Sequence, residues 1–529
     1  MLARRASNAA PYNLGMPEAS LLVSDNLFGH PAGKLAAIAL RDGRIAALHL
    51  PAPDDMASLT QRYAGRLLDC RGLLVLPGLT DAHVHAVATG MMMLGSDLHG
   101  VTQLAELEAA IRAERELGRD TVRLGGLDLS RLQLKDGERL DQQWLDALVA
   151  DRPLIIKSVE GHSSWFNSYA WNLLGISEVL QNCQLPAEEQ QQMREEGRIY
   201  GWAYEELVDP IYDSFNAAER REGMLRVLKV AAAAGLVGLH CMEGYGLRRR
   251  EDFQLLLELD GQGCDLTLYC RDATPRLALE LGVPRFGGCW CVDGAIGAHS
   301  AALSEPYADK PQSSGELYFS DEELTHWVRS GLSAGLQVCV HAIGDRALKQ
   351  IIGIYERLAP AADLAALRPR VDHFILGTPA MAARAARLGL VSAMQPAFDA
   401  RWGGAEDGYA ERLGPERALN TNPVGSMIAA GLRVAGSSDC YITPLDPLGG
   451  IRAALRHHNP AHRVDFDTAV RLFSADAAYL AHQEGARGRI AVGQQADFTV
   501  VRGDRTLAED AAVALTIKNG SIIYQAPAR

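Results

Sequence analysis

Short apolar runs bounded by Gly, Pro, Asn and Asp alternate along the chain with longer stretches of helical composition. Strands joined by helices into a mostly parallel α/β sheet give this pattern. The runs lie at 73–76, 121–127, 154–159, 236–239, 266–270, 289–292, 336–340, 371–376, 390–394 and 434–435. They outnumber the eight strands of a TIM (β/α)8 barrel, so some belong to insertions. The two ends of the chain read differently. Apolar stretches at 20–23 and 35–40, the turn Arg41-Asp42-Gly43-Arg44 and the stretch 45–48 predict a small antiparallel sheet, and similar text returns at 496–501 and 514–520. The expected organisation is a loose leader over 1–18, a small β-sandwich domain built from both ends (19–76 and 487–529), and a barrel domain over 77–486. The barrel should carry an insertion around 130–230, including the Gln-, Glu- and Arg-rich text of 181–206, that lies over its mouth.

Composition narrows the partners. With 52 Lys and Arg against 65 Asp and Glu, the formal charge of −13 repels a phosphate backbone, so nucleic acid is not an expected partner. The small-apolar run 230–239 falls short of the ~18 residues of a membrane span. The first twenty residues lack the apolar core of a signal peptide. Nine scattered cysteines without a CxxC pair fit neither a zinc ribbon nor a disulfide framework. A cytoplasmic enzyme acting on a small molecule is the resulting expectation, and a homo-oligomer is compatible with it.

The chemistry concentrates at strand ends. In LPGLTDAHVH, residues 76–85, an apolar run delivers His83 and His85 at i, i+2, which in a strand share one face. Two imidazoles aimed at one point suit zinc, manganese or iron, although an HxH pair by itself equally describes two ordinary polar residues. His341 follows the run 336–340, His373 sits within the run 371–376, and Asp439 ends Gly436-Ser437-Ser438-Asp439. Strand C-termini of a barrel converge on one mouth, so these distant residues can meet there. Ser437 and Ser438 lack the context of a nucleophile elbow.

These motifs, taken in order with EGHSSWFNS at 160–168, DGAIG at 293–297, HAIGD at 341–345 and GRIAVGQQAD at 488–497, resemble the amidohydrolase superfamily. Within it they are similar to the YtcJ-like branch that includes N-substituted formamide deformylases, and the resemblance runs from about residue 20 to 525. It implies a metal held by His83, His85 and Asp439, with His341 and His373 at a second position. The cofactor would be one or two divalent ions, zinc foremost. Many relatives bridge two metals with a carbamylated lysine four residues before the DG pair, where this chain has Cys289, a residue that can bridge zinc as a thiolate or simply pack. The resemblance also implies a pocket at His162 and Trp165 that contacts substrate, with a capping loop as the alternative and packing the preferred reading of Trp165, and it implies that Asp293 orients a ligand or substrate, whereas His240 and Glu243 read as structural. Glu160, His299 and Asp372-His373-Phe374 depart from the usual residues of the family, which loosens any transfer of substrate. The expected reaction is hydrolysis of an amide-like C–N bond by activated water, with Asp439 as the proton shuttle. Deamination, lactone hydrolysis and epimerisation on the same scaffold, or a metal-free binding role, are the alternatives.

Overall fold

A computed structural model describes residues 21–50, 53–62, 67–183, 185–244 and 249–527; the leader expected over 1–18 lies outside them. Eight parallel strands form the central sheet: β1 (Leu79–Val84), β2 (Leu236–Glu243), β3 (Asp265–Cys270), β4 (Arg285–Cys291), β5 (Gln337–Ala342), β6 (Arg370–His373), β7 (Val391–Met394) and β8 (Arg433–Gly436). Each pairs with the next, and the sheet nearly closes on itself just beyond β8. There the Asp439 N–H donates to the His83 carbonyl (3.0 Å) and the His85 N–H to the Cys440 carbonyl (2.9 Å). Helices such as Asp321–Ser333 and Asp345–Leu358 cover the outside with one apolar face each, so the fold is an α/β TIM barrel.

Seven of the apolar runs fall in or beside β2 to β8, but β1 was not among them. Its Thr80, Asp81 and His83 break the apolar text because this strand serves the barrel mouth as well as the core. The runs 121–127 and 154–159 lie instead in a five-stranded sheet inserted between β1 and β2, together with Ser96–Asp97, Ser163–Phe166 and Arg198–Tyr200. This sheet has its own apolar core of Leu107, Leu124, Leu145, Ile156 and Trp165. The insertion therefore starts near residue 96, earlier than the expected 130, because the apolar run 121–127 reads like a barrel strand.

The chain ends build two four-stranded sheets. One is N-terminal throughout; the other pairs Leu74–Pro77 with Phe498–Arg502, followed by Ala512–Lys518 and Ser521–Gln525. They enclose one core, in which Leu22, Ile38 and Val75 meet Phe498, Val500 and Ile517. The result is a sandwich of two sheets, one of them shared by both chain ends. The nine cysteines are buried and unbridged. No helix among the described residues is long and apolar enough to cross a membrane.

One helix crossing fixes the segment after the HxH pair. Helix Ala217–Ala233 starts at a capping box, in which Asn216 accepts from the Glu219 N–H and the Glu219 side chain accepts from the Asn216 N–H. Its Gly223 meets Gly90 of helix Ala86–Met92 so closely that a Cβ on Gly223 would lie 2.5 Å from the Gly90 carbonyl carbon. Backbone on both sides cannot yield. Gly223→Ala is therefore expected to lower stability in urea by about 1–3 kcal/mol, outweighing the ~1 kcal/mol gain in helix propensity. Gly485→Ala, at an open exposed position, should change stability by less than about 0.5 kcal/mol.

Candidate metal centre

β1 ends at Val84 and His85 begins the helix Ala86–Met92. The Glu243 carboxylate at the end of β2 accepts from the Val87 N–H (3.0 Å) and holds that helix start, and with it His85, in place. On the opposite side of the barrel closure, Asp81 accepts from the backbone N–H of Ser438 (3.0 Å) and of His83 (3.2 Å). Burial pushes the Asp81 carboxyl up to about 6 against these hydrogen bonds. Asp81 thus ties the HxH segment to the loop that carries Asp439.

The two imidazoles converge on one carboxylate oxygen. His83 Nε2 lies 3.4 Å and His85 Nε2 3.2 Å from Asp439 Oδ1. The opposite nitrogens are engaged elsewhere: His83 Nδ1 donates to Asp372 Oδ2 (2.7 Å) and His85 Nδ1 to the Met242 carbonyl (3.2 Å). With Nδ1 protonated, neutral rings turn two Nε2 lone pairs toward an anionic oxygen, an arrangement that a cation between them makes favourable. Burial holds the pKa of His85 below the ordinary imidazole value, although Asp439 opposes this. Among the described residues, His83 Nε2 and Asp439 Oδ1 are buried without a hydrogen-bond partner. These orphaned atoms fit a divalent metal.

A second set adjoins the first. Cys289 Sγ lies 3.8 Å from His341 Nδ1 and 3.9 Å from His373 Nε2. His341 Nε2 donates to the Gly294 carbonyl (3.3 Å) and His373 Nδ1 to Gln395 Oε1 (3.0 Å), so in each ring the other nitrogen faces the sulfur. Burial carries His373 down to about 4 and His341 well below its usual value, keeping both rings neutral. The Cys289 thiol is pushed well up by its hydrogen bond with Cys291 and by burial; a cation beside it would reverse that direction. His83, Cys289 and His373 can offer ligand atoms within 4.8 Å of one another, as can Cys289, Cys291 and His341, so the sets are contiguous. Sequence reasoning passed over Cys291. The bend that aims Cys289 inward begins at Gly287 and Gly288, where φ is +114° and +45° and a Cβ on Gly288 would strike the Tyr269 carbonyl oxygen at 2.6 Å.

Beneath the histidines the barrel interior is polar. Arg370 and Asp372 alternate along β6 and both point inward, each fully buried. Arg370 Nε donates to Asp372 Oδ1 (3.1 Å), and its Nη atoms reach Asp372 Oδ2, the Ala82 carbonyl and His240 Nδ1. Although burial favours the neutral acid, Arg370 and His83 hold the Asp372 carboxyl far below the usual range. The Arg-x-Asp-His spacing, two alternate positions preceding a candidate ligand, was the available signal for this support.

Two chambers meet at the centre. An outer cleft enclosing about 730 Å³, part of it open to solvent, is walled by Ile296, Phe398, Trp402 and Tyr409 and by Asp128 and Arg198 of the insertion. An inner chamber lies against His85, Cys289 and Lys157. His162, His341, Asp439 and Ile442 line both. Burial disfavours a charged His162, but its 3.1 Å contact with Glu205 outweighs that and lifts its pKa to about 9. Two expected substrate residues are absent from both linings. Trp165 is buried in the core of the inserted sheet with Arg198 over its ring (4.8 Å), because strand alternation turns it away from the mouth. Asp293 spends its carboxylate on the backbone N–H groups of Ala302, Ile343 and Gly344 at 2.8–3.0 Å, behind His341.

Residues 66–524 match the model of the Amidohydrolase family. The chain is 28% identical over 495 residues to "Putative amidohydrolase YtcJ" of Bacillus subtilis (strain 168), covering 87% of this chain and 90% of that protein. It is 20% identical over 467 residues to the N-substituted formamide deformylase of Arthrobacter pascens, covering 83% and 85% of the two chains. Among solved structures, an uncharacterized metal-dependent hydrolase from Pyrococcus horikoshii OT3 superposes with a TM-score of 0.69 at 21% identity, over 93% of this chain and 99% of that one. The chain belongs to the amidohydrolase family, a membership that supports a hydrolase and implies a divalent metal. Asp372→Asn replaces the charged acceptor that fixes His83 with a neutral amide, and is expected to weaken divalent-metal affinity by about 10–100-fold in a chelator competition.

Proposed function

We propose that this amidohydrolase cleaves an amide-like C–N bond of a small molecule, an N-acyl or N-formyl amine, using divalent metal with zinc as the preferred ion. The observation that carries the reading is the pair of Nε2 atoms, of His83 and His85, facing Asp439 Oδ1 at 3.4 and 3.2 Å, with His83 Nε2 and Asp439 Oδ1 buried and without a hydrogen-bond partner among the described residues. Borderline-soft imidazole and thiolate donors favour zinc over magnesium or calcium. The choice of a C–N bond is supported by the likeness to the Arthrobacter N-substituted formamide deformylase.

His83, His85 and Asp439 would hold one ion, and His341 with His373 a second, with Cys289 between them. A divalent cation bound there supplies Lewis acidity, which acidifies water and polarises a carbonyl oxygen. Asp439 would be ionised at neutral pH, because a divalent cation beside its carboxylate favours the charged form. Its carboxylate takes the proton of the attacking water and returns it to the departing nitrogen. His162, a charged donor lining both chambers, hydrogen-bonds the oxygen on which negative charge develops. Gln395 and Asp372 keep His373 and His83 in the tautomers that ligation requires.

The test is metal analysis of the purified protein together with turnover of an N-formyl and N-acyl amine panel. Release of amine plus acid supports the reading; ammonia alone or a mass-neutral isomer replaces it with deamination or epimerisation. Asp439→Asn keeps size and one carbonyl oxygen but cannot act as a base. Its kcat should fall by ~10²- to 10⁴-fold with the fold intact, and near-normal kcat in a metal-loaded variant would remove Asp439 from this role. Cys289→Ser should cost one metal equivalent if the sulfur bridges. Unchanged metal content and turnover would leave Cys289 a packing residue.

A further inference from the structure

We propose that the inner chamber is a carboxylate-binding subsite anchored by the Lys157 ammonium. The substrate would then be a small amide with a carboxylate on one side of the scissile bond and an apolar group on the other. The substrate statement rests on the hydrolase reading above; the subsite itself stands on the following geometry.

Lys157 lies on the inserted strand Leu154–Ser158 and is only 7% exposed. Leu154 and Ile156 of that strand enter the insertion's own core, so alternation turns Lys157 the other way, toward the barrel. Its Nζ sits 4.2 Å from the ring centre of Tyr441 and 5.3 Å from that of Tyr212. Among the described residues it makes no hydrogen bond and no ion pair, and Glu205 and Glu160 act on it only through space. Cation–π contact recovers part of the cost of burying an ammonium, but its three donors still require acceptors. Burial accordingly pulls its pKa down to about 7.

The neighbouring anions are committed. Glu205 pairs with His162 at 3.1 Å and with Arg271 at 3.7 Å, and Asp439 faces the histidine cluster. Lys157 thus remains an amine without an acceptor on the chamber wall, beside His85 and Tyr441, and an anion bound there would hold it as the ammonium. A planar monoanion satisfies it, whereas a dianion such as phosphate would also meet the Glu205 and Asp439 carboxylates. The outer cleft, which shares His341 and Asp439 with this chamber, offers Ile296, Phe398 and Trp402 to the apolar part. A ligand spanning both places its central bond at the candidate metal ligands.

The test is a calorimetric titration with N-acetylglycine and its uncharged isostere N-acetylglycinamide, on the protein as purified and after chelation. The acid should bind at least ~10-fold more tightly than the amide, as expected of a charge-assisted hydrogen bond, and should do so without metal. Lys157→Met should abolish the discrimination, while Lys157→Arg retains most of it and thermal unfolding confirms that both variants fold. Equal binding of acid and amide by the unaltered protein, loss of discrimination on chelation, or discrimination surviving in Lys157→Met would each overturn the subsite. Should Lys157→Met not fold, the acid–amide comparison on the chelated protein and on Lys157→Arg decides. Carboxylate discrimination without turnover of any amide would remove the hydrolase reading and leave the subsite standing; turnover without discrimination would do the reverse.

Discussion

A buried ion pair at the centre of the barrel, Arg370 with Asp372, is the interaction on which the site depends. Both side chains are fully buried, and desolvating two charges costs more than a single contact returns. The cost is offset because every group in the pair has several partners. Arg370 reaches Asp372, the Ala82 carbonyl and His240, and lies over the Tyr269 ring at 4.5 Å. Asp372 accepts from Arg370, His83 and the Ala393 N–H. A hydrophobic pair of the same volume would pack as well but would leave the Nδ1 proton of His83 without an acceptor. His83 would then be free to present either nitrogen to the mouth. The polar core thus sets the tautomer of a ring whose other nitrogen must stay unprotonated.

Above this pair, the strand ends carry strain that follows from the same demand. Cys289, His373 and Asp439 all have positive φ, at +68°, +73° and +55°, which for residues with a Cβ costs of order 1–3 kcal/mol each. A regular strand end would direct these side chains along alternating faces. The left-handed turn redirects each of them into one small volume. Gly436 and Gly287 beside them have no Cβ to collide with Phe473 and the Cys339 carbonyl, so the backbone can approach closely enough to make the turns. The bonds that close the barrel, from Asp439 to His83 and from Ser438 to Asp81, hold the strained loop in register.

The chain's text makes the ligand candidates legible because metal chemistry permits few residue types and a barrel brings strand ends together. His83, His85, His341, His373 and Asp439 could each be named from a strand-terminal position, and the structure brings them together with Cys289. The supporting residues were hidden for physical reasons. Asp372, Gln395 and Cys291 act through contacts between strands distant in sequence, and a lone Asp, Gln or Cys carries no period. Trp165 shows the opposite case. A conspicuous residue in a substrate-like motif belongs to the core of a local sheet, which could be seen only once the insertion was recognised as a sheet with two faces. The same blindness moved the insertion's boundary, since apolar runs do not reveal which sheet they join.

The architecture separates the candidate metal ligands from the walls of the chambers around them. Every candidate ligand comes from the barrel, whereas Asp128, His162, Arg198 and Lys157 of the chamber walls come from the insertion. The two parts are joined at specific points: the Trp402 indole N–H donates to Asp128 (3.2 Å), and the Lys157 ammonium stacks on Tyr441, two residues beyond Asp439. A change on the inserted strands can therefore alter charge and shape around the substrate while the His83–Asp439 geometry is held from below by Asp372. The reverse does not hold. A change in the barrel loop after β8 moves Asp439 and Tyr441 together, and so disturbs both a candidate metal ligand and the floor on which Lys157 rests. The chamber walls can vary through the insertion at little cost to the candidate ligands, while the barrel loops are bound to their geometry.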